Sequence, residues 1–417
     1  MSRSFTSRLV SVSNPREVWL ITVAHAVNEF YSVALPPILP LLVNDFAISY
    51  GEAGALLTVF FATYSIFQLP AGVLADRIGQ RWLLAGGMVV LAAGILVAAS
   101  AQGYWTLVAA EVIAGIGGST YHPSGMSIIS DLETGATEGK AMGIHGLGGV
   151  VGTALAPALI GGLATLFDWR FALTVSAAVG VVYAMVFLAV FRPRHRSDDA
   201  APVEPDGGTD ESPASRTSEN TGDRWSGLSG LVSVPLEPWV AVLFLANLAI
   251  ATELGAVRTF VTSFLVEHAG TTAGVANGIF FGMLVGAGIS SLAAGSLADS
   301  MDRRTLGFGA LATSTIVLGA TAVVPLVPIV LFGWFFLLGV AMWAALPAMN
   351  AITSQYSERG FSGSLFGVML TAGSLGGAIG PLLFGVAAER FGLGAAFPLV
   401  AVVSAVGAVA FLGMYRL

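Results

Sequence analysis

Apolar residues in this chain are gathered into long blocks, with no stripe along short helices and no alternation. The first block runs from Val18 to about Val43. Others follow at about 53–74, 82–100, 104–129, 141–166 and 169–191, then at about 238–266, 273–297, 305–324, 327–354, 363–387 and 392–415. A helix that crosses a hydrocarbon core about 30 Å thick needs about 20 apolar residues, so each block predicts one transmembrane helix. The ten-residue alternation that marks an outer-membrane barrel is not the pattern here. Six blocks, a gap and six blocks predict an all-α membrane protein. Its twelve transmembrane helices form two six-helix pseudo-symmetric bundles, over 1–191 and 237–417.

The gap, 192–236, is rich in Ser, Asp, Glu, Pro, Gly and Thr. Such a composition buries too little apolar surface to offset chain entropy, and it predicts a disordered linker. Arg3, Arg8 and Arg16 precede the first block as in a signal peptide, but the block is long and no small-residue cleavage site closes it. It is read as a retained span. With the N-terminus inside, fifteen Lys and Arg residues fall in cytoplasmic segments, while Arg170 and Arg390 fall outside. That asymmetry predicts cytoplasmic termini and a cytoplasmic linker.

The two halves echo each other. Gly72-Val73-Leu74-Ala75-Asp76 recurs as Gly295-Ser296-Leu297-Ala298-Asp299 at an offset of 223. Pro123 pairs with Pro347, Gly152 with Gly376, Pro157 with Pro381 and Gly161 with Gly385 at an offset of 224. An even number of spans per half makes this a parallel repeat around a central pathway.

Composition narrows the chemistry. Hydrophobic residues make up 55% and charged residues 10% of 417, and mean hydropathy is +0.81, which leaves little chain for a soluble catalytic domain. The net charge of −7 misleads, because residues 197–224 contribute −6 of it. The absence of cysteine removes disulfides, thiolate metal sites and cysteine nucleophiles. No phosphate-cradling Gly-x-x-x-x-Gly-Lys-Ser/Thr sequence is present, which argues against direct ATP drive.

Gly72, Asp76, Arg77, Gly79 and Arg81, in GVLADRIGQR, resemble the signature between spans two and three of the major facilitator superfamily. Gly295, Asp299, Arg303 and Arg304 resemble its weaker second-half copy. More narrowly, His25-Ala26-Val27-Asn28-Glu29 and Gly115-Ile116-Gly117-Gly118-Ser119-Thr120-Tyr121-His122-Pro123 resemble the fosmidomycin-resistance branch. Two departures stand out. Glu111 occupies a position where drug–proton antiporters commonly carry arginine, and the span-five motif reads Gly152-x-x-x-Ala156-Pro157-x-x-x-Gly161. The resemblance implies that spans one, four, seven and ten line a central cavity. It also implies that Gly72, Asp76, Arg77, Gly79, Arg81, Asp299 and Arg303 serve gating.

Ionisable groups at membrane depth are costly and point to function. Within the predicted spans they are His25, Glu29, Glu111, His122, His145, Glu253 and Arg258. Glu29 lies about 11 residues into its span, roughly 16 Å at 1.5 Å per residue, so it is expected at mid-bilayer. Glu29, Glu253 and Glu111 are candidates for proton coupling. The alternatives are a structural Glu29 bonded to His25 one turn earlier, and a Glu111 that snorkels to the interface. His25, Asn28, Tyr121, His122, Arg258 and Asn350 are candidates for the substrate cavity. His122 could instead serve a kink at Pro123, and His145 could simply be wet. Arg258 either pairs with a carboxylate such as Glu253 or binds an anionic substrate group through its planar fork.

Together these features predict a secondary transporter that exports small organic, drug-like or anionic compounds by alternating access, driven by protons. The alternatives are a proton-coupled importer of an organic anion, and an intramembrane metalloenzyme using His25, His122 and His145. The leading reading takes the protein as a monomer in the lipid bilayer of the cell membrane. Its partners are a small-molecule substrate and protons, with no nucleic acid, no cofactor and no metal.

Overall fold

The computed structural model describes residues 12–134, 136–192, 237–357 and 362–416. Arg3, Arg8, nearly all of the expected linker 192–236 and the side chain of Asp299 lie outside that description. Among the described residues the chain makes twelve helical passes, one for each apolar block. The first half consists of Pro15–Ser32 continued by Leu39–Phe46, Tyr50–Ile78, Gln80–Ala99, Tyr104–Ser119 continued by Tyr121–Leu132, Ala136–Ala156 continued by Gly162–Leu166, and Trp169–Val190. The second half consists of Pro238–Ser263, Ala273–Ser300, Arg303–Ala320, Pro328–Ser357, Ser362–Phe391 and Leu393–Gly413. Ten passes are long and apolar enough to cross a membrane. The other two are the fourth, which is broken at Thr120, and Arg303–Ala320, whose first turn carries two arginines.

The breaks have local causes. Pro36 and Pro37 lack amide hydrogens, and the first pass gives way there to a short 3-10 turn, Pro36–Ile38, before resuming. Pro123 cannot donate to Ser119, and the fourth pass bends at Thr120, one turn before it. Gly79 joins the second and third passes with φ of +88°, a conformation that disfavours any side chain. At equivalent places in the two halves, Ser49 and Thr272 cap the helices that follow, accepting from the amides of Glu52 and Val275.

The repeat is visible in the packing. Gly152 on the fifth pass sits against the carbonyl of Ala26 on the first, where a Cβ would clash. Its repeat-mate Gly376 on the eleventh pass meets the carbonyl of Leu248 on the seventh, 2.5 Å from where its Cβ would lie. Small residues let these helix pairs approach closely in lipid.

The start of the first pass and the segment after the last are fastened at the same end of the bundle. The amides of Ser13 and Asn14 donate to the Glu133 carboxylate at 2.9 and 2.6 Å. Tyr415 donates to Asp302 at 2.6 Å, a bond that holds the Asp302 carboxyl below its usual range.

The two halves meet at the opposite end. Gly54 packs on the carbonyl of Pro381, and Gly385 on that of Tyr50. Thr58 donates to the carbonyl of Ala378 at 2.6 Å, Asn277 to that of Pro37 at 3.0 Å, and Tyr50 to Glu267. Toward the terminal end the second and eleventh passes part around a cavity of about 590 Å³ that Ile66, Leu69, Leu370 and Leu375 help to line. The space between the halves therefore opens at the end that carries the termini.

Candidate functional site

Of the cavities between the halves, two that adjoin are lined by ionisable side chains. The larger of these two, about 440 Å³, is lined by residues that include Ser32, Tyr64, Gln68, His122, Asn247, Arg258 and Asn350. The smaller, about 320 Å³, is lined by His25, Glu29, His122, Thr153, Arg258 and Trp343 among others. His122 and Arg258 belong to both walls.

Glu29 is the centre of the polar wall. Its Oε1 lies 3.9 Å from His25 Nε2, one helical turn earlier, and 3.7 Å from His122 Nε2 on the fourth pass. Asn28 donates to Oε1 at 3.3 Å, while Ser32 donates its hydroxyl hydrogen to the Glu29 backbone carbonyl at 2.8 Å and lies 3.3 Å from Oε2. The bend at Thr120 delivers His122: the helix restarts at Tyr121, so the imidazole projects from its first turn toward Glu29.

A second layer holds this wall in place. His25 Nδ1 donates to the carbonyl of His145 at 2.8 Å, and that bond leaves the Nε2 lone pair directed at the carboxylate side. The His25 ring stacks on His145 at 4.2 Å and on Tyr121 at 5.1 Å. Tyr121 spends its hydroxyl hydrogen on the carbonyl of Ile21 at 2.8 Å, so across the 3.3 Å to His145 Nδ1 it accepts. Gly149 leaves room for the His25 ring, since a Cβ there would stand 2.6 Å from Cε1.

Arg258 faces the same space. Its Nε and one terminal nitrogen are buried with no hydrogen-bond partner. Pairing with Glu253 is not what the structure shows. Glu253 is 1% exposed and receives the hydroxyl of Ser314, on the ninth pass, inside the second half. It lines neither cavity.

Several sequence expectations are redrawn by these positions. Glu111 is 4% exposed, so it does not snorkel toward the interface, and it too lines neither cavity. Tyr121 is 2% exposed and sits behind His25, where it supports the wall without lining it. His145 is not wet, being 6% exposed and stacked on His25. Asn28 is buried as well and bridges Glu29 to Tyr64 at 3.3 Å on each side. Asn350 does face the larger cavity.

The motif at the terminal end divides in two. Asp76, Arg77 and Gly79 are exposed, and Gly72 packs near Pro123. Arg81 instead donates to the carbonyl of Leu188 at the end of the sixth pass, and Arg303 to that of Ala351 at 3.1 Å on the tenth. Each arginine therefore bonds within its own half, and neither of these bonds bridges the halves. Tyr64, Gln68 and Asn247 line the cavity and were not singled out from sequence.

Twelve passes in two matched bundles, enclosing a polar cavity open at one end, make this a multi-pass membrane transporter. The Major Facilitator Superfamily sequence profile matches residues 18–287 and 243–417, and the chain belongs to that superfamily. A D-galactonate transporter of Escherichia coli O6:H1 is 22% identical over 393 residues, 88% of each chain. The multidrug resistance protein MdtG of Dickeya zeae is 27% identical over 383 residues, 89% of this chain and 88% of that one. The fosmidomycin resistance protein of Escherichia coli K12 is 27% identical over 139 residues, 33% of this chain and 34% of that one. In fold, the chain is similar to a bacterial homologue of the human lysosomal transporter Spinster, solved in an inward-facing, occupied conformation. The TM-score is 0.79 at 17% identity, with 100% of this chain and 98% of that one covered. The nucleoside transporter NupG also gives a TM-score of 0.79, at 13% identity over 96% of this chain and all of that one. Family and fold neighbours are transporters, not enzymes, and the metalloenzyme reading falls with that.

Proposed function

We infer that this transporter exports small organic compounds in exchange for protons, with Glu29 as the proton-carrying group. The observation that carries the reading is the convergence of His25, Glu29 and His122 on a cavity wall shared with Arg258. The multidrug and fosmidomycin resistance relatives support export, and the K/R asymmetry supports cytoplasmic termini in the cell membrane. In that orientation the cavity is open to the cytoplasm, and the packed end around Gly54 and Pro381 closes the outer side.

The chemistry follows from charge. An ionised Glu29 offsets Arg258 across the cavity, while a protonated Glu29 leaves Arg258 free to attract an anionic group. Asn28 donates to the carboxylate and holds it at the cavity wall. Loading and release of a proton here changes the net charge of the cavity by one and biases the two orientations of the halves. Glu253 and Glu111, buried away from the cavity, are the reserve candidates for the proton. Asp76, with Arg77 and Gly79, is proposed to close the terminal end in the opposite conformation by meeting the positive end of a helix from the other half.

A second reading, import of an organic anion, is favoured by the two partnerless guanidinium nitrogens of Arg258 and by the D-galactonate transporter among the relatives. Proteoliposomes carrying a pH dye, tested with phosphonates and sugar acids, separate the two. Under export by antiport, an outward proton gradient drives the compound into right-side-out vesicles and alkalinises their lumen. Import by symport demands compound and proton moving together.

A further inference from the structure

We propose that His25, Glu29 and His122 form a binding site for a divalent transition-metal ion of the zinc type, in competition with the proton assigned to Glu29. The three donor atoms converge without bonding to one another. Separations of 3.9 and 3.7 Å to Glu29 Oε1 exceed hydrogen-bond reach, and all three donors lie within 4.8 Å of each other. A point between them lies near the bonding distance of zinc, about 2.0–2.1 Å to nitrogen and 2.0–2.2 Å to oxygen, after shifts well under an ångström or so.

Three further observations support a metal over a chance cluster. The bond from His25 Nδ1 to the carbonyl of His145 fixes the tautomer that leaves Nε2 as a ligand, the outer-shell arrangement typical of metal-bound histidine. Asn28 orients the carboxylate in the same way. The fourth side opens onto the smaller cavity, which gives an entry path and a free coordination position. The donors are two imidazoles and one carboxylate, a set that suits zinc, cobalt or nickel better than magnesium or calcium.

Arg258 lines the same cavity and opposes a cation. Its removal is therefore expected to tighten the site, the reverse of what loss of a ligand does. The proposal shares Glu29 with the proton-coupling reading but does not need that reading to hold, because it is tested by binding alone.

The test uses full-length protein purified without a histidine tag, titrated with Zn²⁺ by equilibrium dialysis and with Co²⁺ by visible absorption. The chain has five histidines and no cysteine, so His195 and His268 are the histidines outside the cluster and its stacked neighbour His145. The expected result is a single tight ion, retained in a His195→Gln/His268→Gln variant. Affinity should fall at least about 10–100-fold in His122→Gln and in Glu29→Gln, and rise in Arg258→Gln. Cobalt should show the stronger absorption of a four-coordinate nitrogen and oxygen site in wild type, a readout that requires no variant to fold. Absence of a tight ion in wild type, or undiminished affinity in monodisperse His122→Gln protein, would overturn the proposal, as would an affinity that Arg258→Gln leaves unchanged. Tight metal binding in a protein that moves no protons would leave this site standing and remove the coupling role of Glu29.

Discussion

His25 donates its Nδ1 hydrogen to the backbone carbonyl of His145 at 2.8 Å, tying the first span to the fifth beside Glu29. Because the acceptor is a backbone carbonyl, the orientation of His25 is set by the packing of two helices. Changes to that packing should reach the polar wall without touching a polar atom.

Gly149→Ala is the direct test of this dependence. The added Cβ would stand 2.6 Å from the His25 ring, so the imidazole must leave its present position beside Glu29 or the two helices must part. Transport is expected to fall at least severalfold with normal membrane insertion. Gly86→Ala, where a Cβ meets nothing within 4 Å, should transport like wild type. Equal activity in the two variants would mean that the position of His25 is unimportant.

Arg258→Lys should keep part of the activity, because a compact ammonium restores charge but not the bidentate fork. Arg258→Gln should weaken anionic compounds by about tenfold or more, the equivalent of ~1.4 kcal/mol, and spare neutral ones. Competition binding with a charged and an uncharged analogue of the same size measures the difference. Equal losses would indicate a structural role for the guanidinium.

For the gate, Asp76→Asn is expected to slow transport while leaving expression and binding intact. The absence of native cysteines allows a single reporter at Ser374, on the wall of the larger cavity. Labelling of Ser374→Cys from the terminal side should increase when Asp76 is neutralised, since the open form is no longer opposed. Unaltered labelling together with full activity would remove Asp76 from the gate.

Glu133 supplies a pH prediction from outside the spans. Burial alone would raise its carboxyl, but bonds from Ser13 and Asn14 outweigh it, and the group is held below its usual range. A depressed folded-state value means that this stabilisation is present above the unfolded carboxylate range and is lost as pH falls through the folded value. Glu133→Gln should lower the unfolding temperature at neutral pH, and the gap from wild type should narrow in acid. A gap that widens in acid would contradict the assignment.

The spans, the repeat and the signature motif were legible because each rests on local composition or on spacing along the chain. The pairing of His25 with Glu29 was legible for the same reason, being one helical turn. The approach of His122 was not, because it depends on the bend at Thr120 and on how the fourth span packs against the first. That Glu253 and Glu111 line neither cavity was hidden for a related reason. A helix that is apolar all round carries no amphipathic stripe to say which face meets the cavity; both acids are buried, and Glu253 is bonded to Ser314 within its own half. Tyr64 was overlooked because one hydroxyl in an apolar run gives no signal until Asn28 is seen 3.3 Å away.

The most direct test of proton coupling at Glu29 is to measure gradient-driven transport and gradient-free counterflow in the same Glu29→Gln proteoliposomes. Glutamine mimics the permanently protonated acid and removes the charge change that links the gradient to the conformational cycle. Driven transport should fail and counterflow should survive, with Glu29→Asp retaining both. Driven transport that persists in Glu29→Gln, or counterflow that vanishes with it in well-folded protein, would contradict the account.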